Sequence, residues 1–223
     1  MPIIYKHMTK EAKIIVSITI VVVIAIVAFM ALSPQGSAVT GSSVDLSRLA
    51  TSTSHMTGKL GAKVTVVEFG DYQCPACGEM NPFIDQLIAT YGKNPDFNFV
   101  FRNFPLPQHP NAMIAAEAAE AAGAQGKFWE MHDLLYANQN DWADSTTPIN
   151  FFTQYAKQLG LNVAKFTADV ENNTYQDFIL ADQADGDAVD VQWTPSIFVN
   201  GELEQPTANP DDIKSKIDAL LSK

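Results

Sequence analysis

Both cysteines of this 223-residue chain, Cys74 and Cys77, fall in one short run, FGDYQCPACGEMNP (69–82). Two thiols three positions apart can close on each other and exchange with a third sulfur. As a staple the pair is poorly placed. A four-residue ring removes about 2 kcal/mol of unfolded-state entropy, against nearly 5 for a ring of ~100 residues. Metal binding is the other chemistry two thiolates can do. His7, His55, His109 and His132 show no ligand spacing with the pair that would complete a zinc site. A bare pair of sulfurs suits copper(I), so a tethered copper-binding module stands as an alternative of a different class. Elsewhere, Asp182, Asp185, Asp187 and Asp190 depart from the calcium-loop pattern and read as a solvated acidic face. His109 and His132 read as a turn residue and a helix residue.

The elements around the cysteines give the pair its character. KVTVVEF (63–69) is β-branched and nearly continuous, as a strand buried on both faces should be. From Cys74 to Tyr91 the apolar positions take helical spacing, and Gly92 stops the helix. Pro75 then occupies the first helical position, where its missing N–H costs nothing. A thiolate at Cys74 would face unpaired backbone N–H groups and the positive end of the helix dipole, which lower a cysteine pKa from about 8.5 into the ~3.5–7.5 range. Cys77 lies one turn further on. Glu68, between Val67 and Phe69, is expected to be desolvated, with a raised pKa suited to moving a proton. A strand-end glutamate reaching solvent is the competing reading. Thr194-Pro195 precedes a short strand, SIFV (196–199), and on its own would be a trans proline opening an edge strand.

FNFVFRNF (97–104) predicts a second strand, and helices are predicted over 111–123, 126–139, 148–160, 162–172 and 174–189. Asn200-Gly201 signals a hairpin turn, and a last helix over 211–221 is expected to be capped by Asp211. The order β-α-β, helical block, β-turn-β, α describes a small α/β sheet carrying a helical insertion.

VVEFGDYQCPAC resembles the active-site strand and helix of the DsbA-like branch of the thioredoxin superfamily. The likeness continues through FRNFPLPQHPNAMIAAEAAEAAGAQGKFWEMHDLLYANQ and returns at WTPSIFVNG. The resemblance implies a thioredoxin-like fold with an inserted helical subdomain, over 59–223 with the insertion at about 108–190. It implies dithiol–disulfide exchange with no cofactor beyond the redox-active Cys74–Cys77 disulfide. It also implies that Glu68 lies under Cys77 and moves its proton, that Pro195 is cis against the CxxC, and that Thr194 pairs its backbone with an extended substrate. Two departures matter. Trp193 stands where the family often has a small residue, either walling the site or filling the core. Between the cysteines lie Pro75 and Ala76, and Ala76 lacks the histidine side chain of the strongest oxidants.

The remaining sequence concerns placement. Residues 14–32 form an uninterrupted apolar run of 19 residues, about 28 Å as a helix against a hydrocarbon core of ~30 Å. Lys6, Lys10 and Lys13 precede it, and the next basic residue is Arg48. The positive-inside rule places 1–13 in the cytoplasm and everything after 32 outside. The run is expected to be a single-pass transmembrane anchor; a cleaved signal peptide is the alternative. Residues 33–58, rich in Ser, Thr and Gly, read as a flexible tether, with VDLSRL as a short turn of helix or strand. The net charge of −11 argues against nucleic acid as a partner. The expected partners are exported cysteine-containing proteins. By resemblance, a quinone-linked reoxidase of the DsbB or vitamin K epoxide reductase type is also expected. A reductase or isomerase outside the membrane is the rival enzyme.

Overall fold

The structure is a computed structural model and describes residues 44–204 and 209–223. The expected anchor, the lysines before it and residues 33–43 lie outside the described residues. No helix among the described residues is long and apolar enough to cross a membrane.

A five-stranded mixed sheet runs in the order β1-β3-β2-β4-β5. β1 is His55–Met56, β2 Val64–Gly70, β3 Phe97–Asn103, β4 Ser196–Val199 and β5 Glu202–Leu203. β2 and β3 are parallel and joined through helix α2 (Pro75–Tyr91); β4 pairs antiparallel with β2 on its other side. Every residue of β2 and β3 is buried, because helices or loops cover both faces of the central sheet. Alternate β2 residues divide between two cores. Val64 and Val66 face α2, Cys77 and the helical block; Val67 and Phe69 pack with Leu49, Val100, Phe104, Val191 and Phe198.

Six helices lie between β3 and β4: α3 (Ala112–Gly123), α4 (Phe128–Ala137), α5 (Gln139–Trp142), α6 (Ile149–Gln158), α7 (Val163–Glu171) and α8 (Gln176–Ala188). α9 (Pro210–Leu221) closes the chain. Its cap is Asn209, whose side chain accepts from Asp211 N, so the predicted Asp211 cap is displaced by two residues and Pro210 takes the first turn.

Two expectations are corrected. Residues 44–58 are not tether. α1 (Leu46–Leu49) buries Leu49 completely, and β1 pairs antiparallel with β3. The serines and threonines disguised this: Ser54 accepts from the Thr51 N–H and forms a local turn. The acidic residues of α8 are not one solvated face either. Asp182 is 3% exposed, and its Oδ1 accepts from Arg102 Nε at 2.6 Å, while Asp185 Oδ2 accepts from Arg102 Nη2 at 2.5 Å. Arg102 is itself buried, and its Nη1 also donates to the Leu49 carbonyl at 2.9 Å. A buried guanidinium must be matched by acceptors, and α8 and α1 supply them. Asp182→Ala leaves that charge half-paired in the core and is expected to cost about 3 kcal/mol, read as a lower urea midpoint with an unchanged slope. Asp187→Ala, which touches no such partner, should leave the midpoint in place.

Candidate active site

Cys74 is the N-cap of α2, in extended conformation, with Pro75 in the first helical turn as the sequence expects. The cap residue's C=O begins the helical hydrogen bonding, accepting from Gly78 N at 3.1 Å. Its Sγ is therefore held at the end of the helix where backbone N–H groups point outward. The Cys77 thiol, which donates to this sulfur, is the main cause that lowers the Cys74 pKa, from 9.0 to about 5. The Thr194 side chain and the N–H groups of Cys77 and Ala76 add to the effect against the opposing pull of burial. Cys77 goes the other way. It is fully buried, and burial pushes its pKa well above the ordinary thiol value, with its donation to Cys74 and the Glu68 charge next. The two sulfurs are thus unlike: Cys74, 7% exposed, is a thiolate at neutral pH, and Cys77, with no exposure, is a thiol.

Glu68 lies in the middle of the central strand, in register with Phe101 on one side and Ile197 on the other. It is 2% exposed, and burial raises its pKa to about 8, with the charges of Asp85 and Cys74 adding. It therefore holds a proton at pH 7. Its side chain points to the same face of β2 as Val64 and Val66, the face that packs against Cys77. The strand-end alternative is thereby excluded.

Thr194-Pro195 is cis. The Thr194 carbonyl lies 3.4 Å from Cys74 Sγ, so a segment separated from the cysteines by about 120 residues forms the second wall of the site. Ala76, Met80, Phe83, Trp193 and Pro195, together with Glu79 and Glu204, line a mostly apolar groove of about 440 Å³ beside the cysteines. Trp193 is thus a wall of the site, and the gap-filling alternative is set aside.

Other residues, to which the sequence assigned no part in the site, support the cysteine loop. Gln139 Nε2 donates to the carbonyls of Tyr72 at 2.7 Å and Cys74 at 2.9 Å, tying the helical block to the cap. Asp71 accepts from Gln73 N at 2.7 Å and Leu106 N at 2.9 Å and pairs with His109 Nδ1 at 2.6 Å. His109 is therefore more than a turn residue. His132 is buried, shares a 3.0 Å hydrogen bond with the Tyr72 hydroxyl, and burial pushes its pKa down to about 3. A D-x-Q spacing before the first cysteine marks the Asp71 turn in retrospect; nothing local marks Gln139.

Residues 50–219 match the family model described as Thioredoxin, and the chain belongs to that family. Its fold resembles that of BdbD from Bacillus subtilis in its oxidised crystal structure, with a TM-score of 0.70 and 26% identity over 82% of this chain and 98% of that one. It also resembles a thioredoxin-like oxidoreductase from Silicibacter pomeroyi (TM-score 0.66, 23% identity, 81% and 99% covered) and alpha-DsbA2 from Wolbachia pipientis (TM-score 0.66, 20% identity, 78% and 91% covered). Its fold is that of a thiol–disulfide oxidoreductase with DsbA-like neighbours. Among curated proteins it is 36% identical over 169 residues to Na(+)/H(+) antiporter NhaA 1 of Salinispora arenicola, covering 75% of this chain and 25% of that protein. It is 37% identical over 171 residues to NhaA 1 of Mycolicibacterium gilvum, covering 74% and 26%. The chain thus spans about a quarter of the length of these curated relatives.

Proposed function

We propose that the chain is a membrane-anchored, extracytoplasmic thiol:disulfide oxidoreductase that donates its Cys74–Cys77 disulfide to exported proteins. The observation that carries the reading is the asymmetry of the two sulfurs, a stabilised thiolate at the helix cap and a buried thiol beside a protonated carboxyl. A substrate thiolate attacks Cys74 Sγ, a new S–S bond forms, and the old bond breaks with its electron pair on Cys77. Glu68 supplies the proton that neutralises Cys77. A second substrate thiolate then attacks the substrate sulfur of the mixed disulfide, and Cys74 departs as a thiolate, a good leaving group because its pKa is low. The substrate lies in the apolar groove and pairs with the backbone at Thr194 by strand addition.

In this reading residues 14–32 hold the domain to the cell membrane, with 1–13 in the cytoplasm and 33–223 outside. A quinone-linked membrane partner of the DsbB or vitamin K epoxide reductase type takes the electrons. One pair of measurements tests it. Acid-quenched cells labelled with an alkylating mass tag should show Cys74 and Cys77 mostly oxidised, and protease added to spheroplasts should degrade the domain. A mostly reduced pair would establish the reductase instead, tagging only after chelation would establish the copper module, and full protease protection would reverse the orientation.

A further inference from the structure

The groove beside the cysteines carries charge of one sign. Its apolar lining includes Met80, Phe83, Trp193, Ile197 and Ile213, and the charged side chains that line it are Glu79 and Glu204. Glu79 lies on α2, within two turns of the Cys74 cap, and is exposed. Among the described residues no lysine, arginine or histidine pairs with it. Glu204 is held in place. Its N–H donates to the Ile197 carbonyl at 2.8 Å, and its carboxylate accepts from Lys216 Nζ. That lysine is shared with Glu202 Oε2 at 2.9 Å, so it offsets only one of two carboxylates. Pro210 also lines the groove, and Asp211 and Asp212 follow it, both exposed. The other lysine of α9, Lys214, is paired with Asp218. An apolar surface next to the reacting sulfur is thus bordered by a surplus of negative charge.

We propose that the groove selects polypeptide segments in which a reduced cysteine lies among apolar residues flanked by lysine or arginine. This rests on the exchange reading above and names its substrate class. Carboxylates on the rim of a binding surface draw a basic partner and repel an acidic one. Lysine and arginine suit this rim because their stems pack on apolar surface while the charged end reaches a carboxylate. An acidic segment would meet like charge and lose water against the apolar walls, and is rejected.

Two other effects would also favour basic substrates. A cation near a substrate thiol lowers the pKa of that thiol and raises its thiolate fraction. The chain as a whole is acidic, with a net charge of −11, and attracts cations generally. The experiment separates both from recognition in the groove.

The test uses the oxidised full chain and three reduced peptides with two cysteines and one apolar sequence, flanked by lysines, glutamines or glutamates. The rate of peptide oxidation is divided by the rate of the same peptide with hydroxyethyl disulfide, a neutral oxidant, which removes the effect of the peptide's own thiol pKa. The lysine peptide should react about fivefold faster than the glutamate peptide at low salt, with the glutamine peptide between them. At about 0.5 M salt, where the screening length falls to roughly 4 Å, the ratio should drop below about twofold. Glu79→Gln should at least halve the low-salt ratio, and Glu79→Lys should bring it to about one or below. Asp187→Asn, an exposed acid outside the groove, should leave it unchanged. Comparing peptides on one variant cancels any change in Cys74 itself. Equal normalised rates for the three peptides would overturn the proposal and leave the rim to the reoxidising partner. A ratio that Asp187→Asn lowers as much as Glu79→Gln would belong to the whole acidic domain and would overturn it too. Wild-type protein that oxidises none of the peptides would instead sink the exchange reading, so the two failures are distinguishable.

Discussion

Cys77→Ser should accumulate disulfide-linked adducts with cysteine-containing proteins, and Cys74→Ser should accumulate none and show no exchange activity. This is the largest effect expected of any substitution in the chain. The first sulfur alone combines the two properties that attack requires. It lies at the helix cap, 3.4 Å from the carbonyl of Thr194, a residue that lines the groove, and it is ionised at neutral pH, with a pKa of about 5. Cys77 is fully buried and its pKa is pushed well up, so it neither meets a bulky substrate nor ionises readily. The serine of Cys77→Ser keeps an O–H donor where the S–H was, so the Cys74 thiolate stays stabilised and adducts should form across neutral pH. Non-reducing gels of cells expressing each variant read the outcome. Adducts in equal amount with both variants would show that either sulfur can attack and would remove the basis for their different roles.

The sulfur pair was legible in the sequence for a local reason. Pro75 and the change of hydrophobic period at residue 74 mark a strand-to-helix junction without any tertiary information. Glu68 was legible for a related reason, since a carboxylate inside VTVVEFG has nowhere polar to go. What the sequence did not carry was partnership across long separations. Arg102 finds Asp182 and Asp185 some 80 residues away, and a spacing rule applied to the acids alone returned a solvated face. The strand His55–Met56 is only two residues long and takes its stability from β3, so its own residues show no period. Gln139 carries the same lesson. It reads as an ordinary residue near a helix end and matters because the fold brings it against a loop more than 60 residues earlier, where it meets two carbonyls.

The midpoint potential of the Cys74–Cys77 couple should lie between about −120 and −230 mV, and above pH 5.5 it should fall by about 30 mV per pH unit rather than about 59. Both numbers come from one thiolate. Reduction of a disulfide takes two electrons, and two protons if both sulfurs end as thiols. With Cys74 at about 5 and Cys77 well above the ordinary value, only Cys77 takes a proton between those limits. One proton per two electrons halves the slope. The sign of the stability effect follows from the direction of the shift. Because the folded pKa of Cys74 is depressed, its contribution to the reduced form is complete only above the unfolded value of 9.0 and is lost as pH falls through 5. At pH 7 it is about 2.7 kcal/mol, which raises the potential by roughly 60 mV over a dithiol without it. A thiolate at 5 falls short of the ~3.5 of DsbA and well below the ~7 of thioredoxin, so the potential belongs below the ~−120 mV of DsbA and above about −230 mV, near the glutaredoxins. Ala76 offers no side-chain hydrogen bond to move it further. Ala76→His should lower the Cys74 pKa and raise the potential together. Equilibration with glutathione buffers from pH 5.5 to 7 measures the slope and the midpoint, and thiolate absorbance measures the pKa. The window stops at 7 because Glu68 begins to titrate near 8. A slope of 59 mV per unit would mean that Cys74 is a thiol in the reduced protein. A potential near −270 mV would leave the couple too reducing to oxidise exported proteins, and the chain would then work as the reductase.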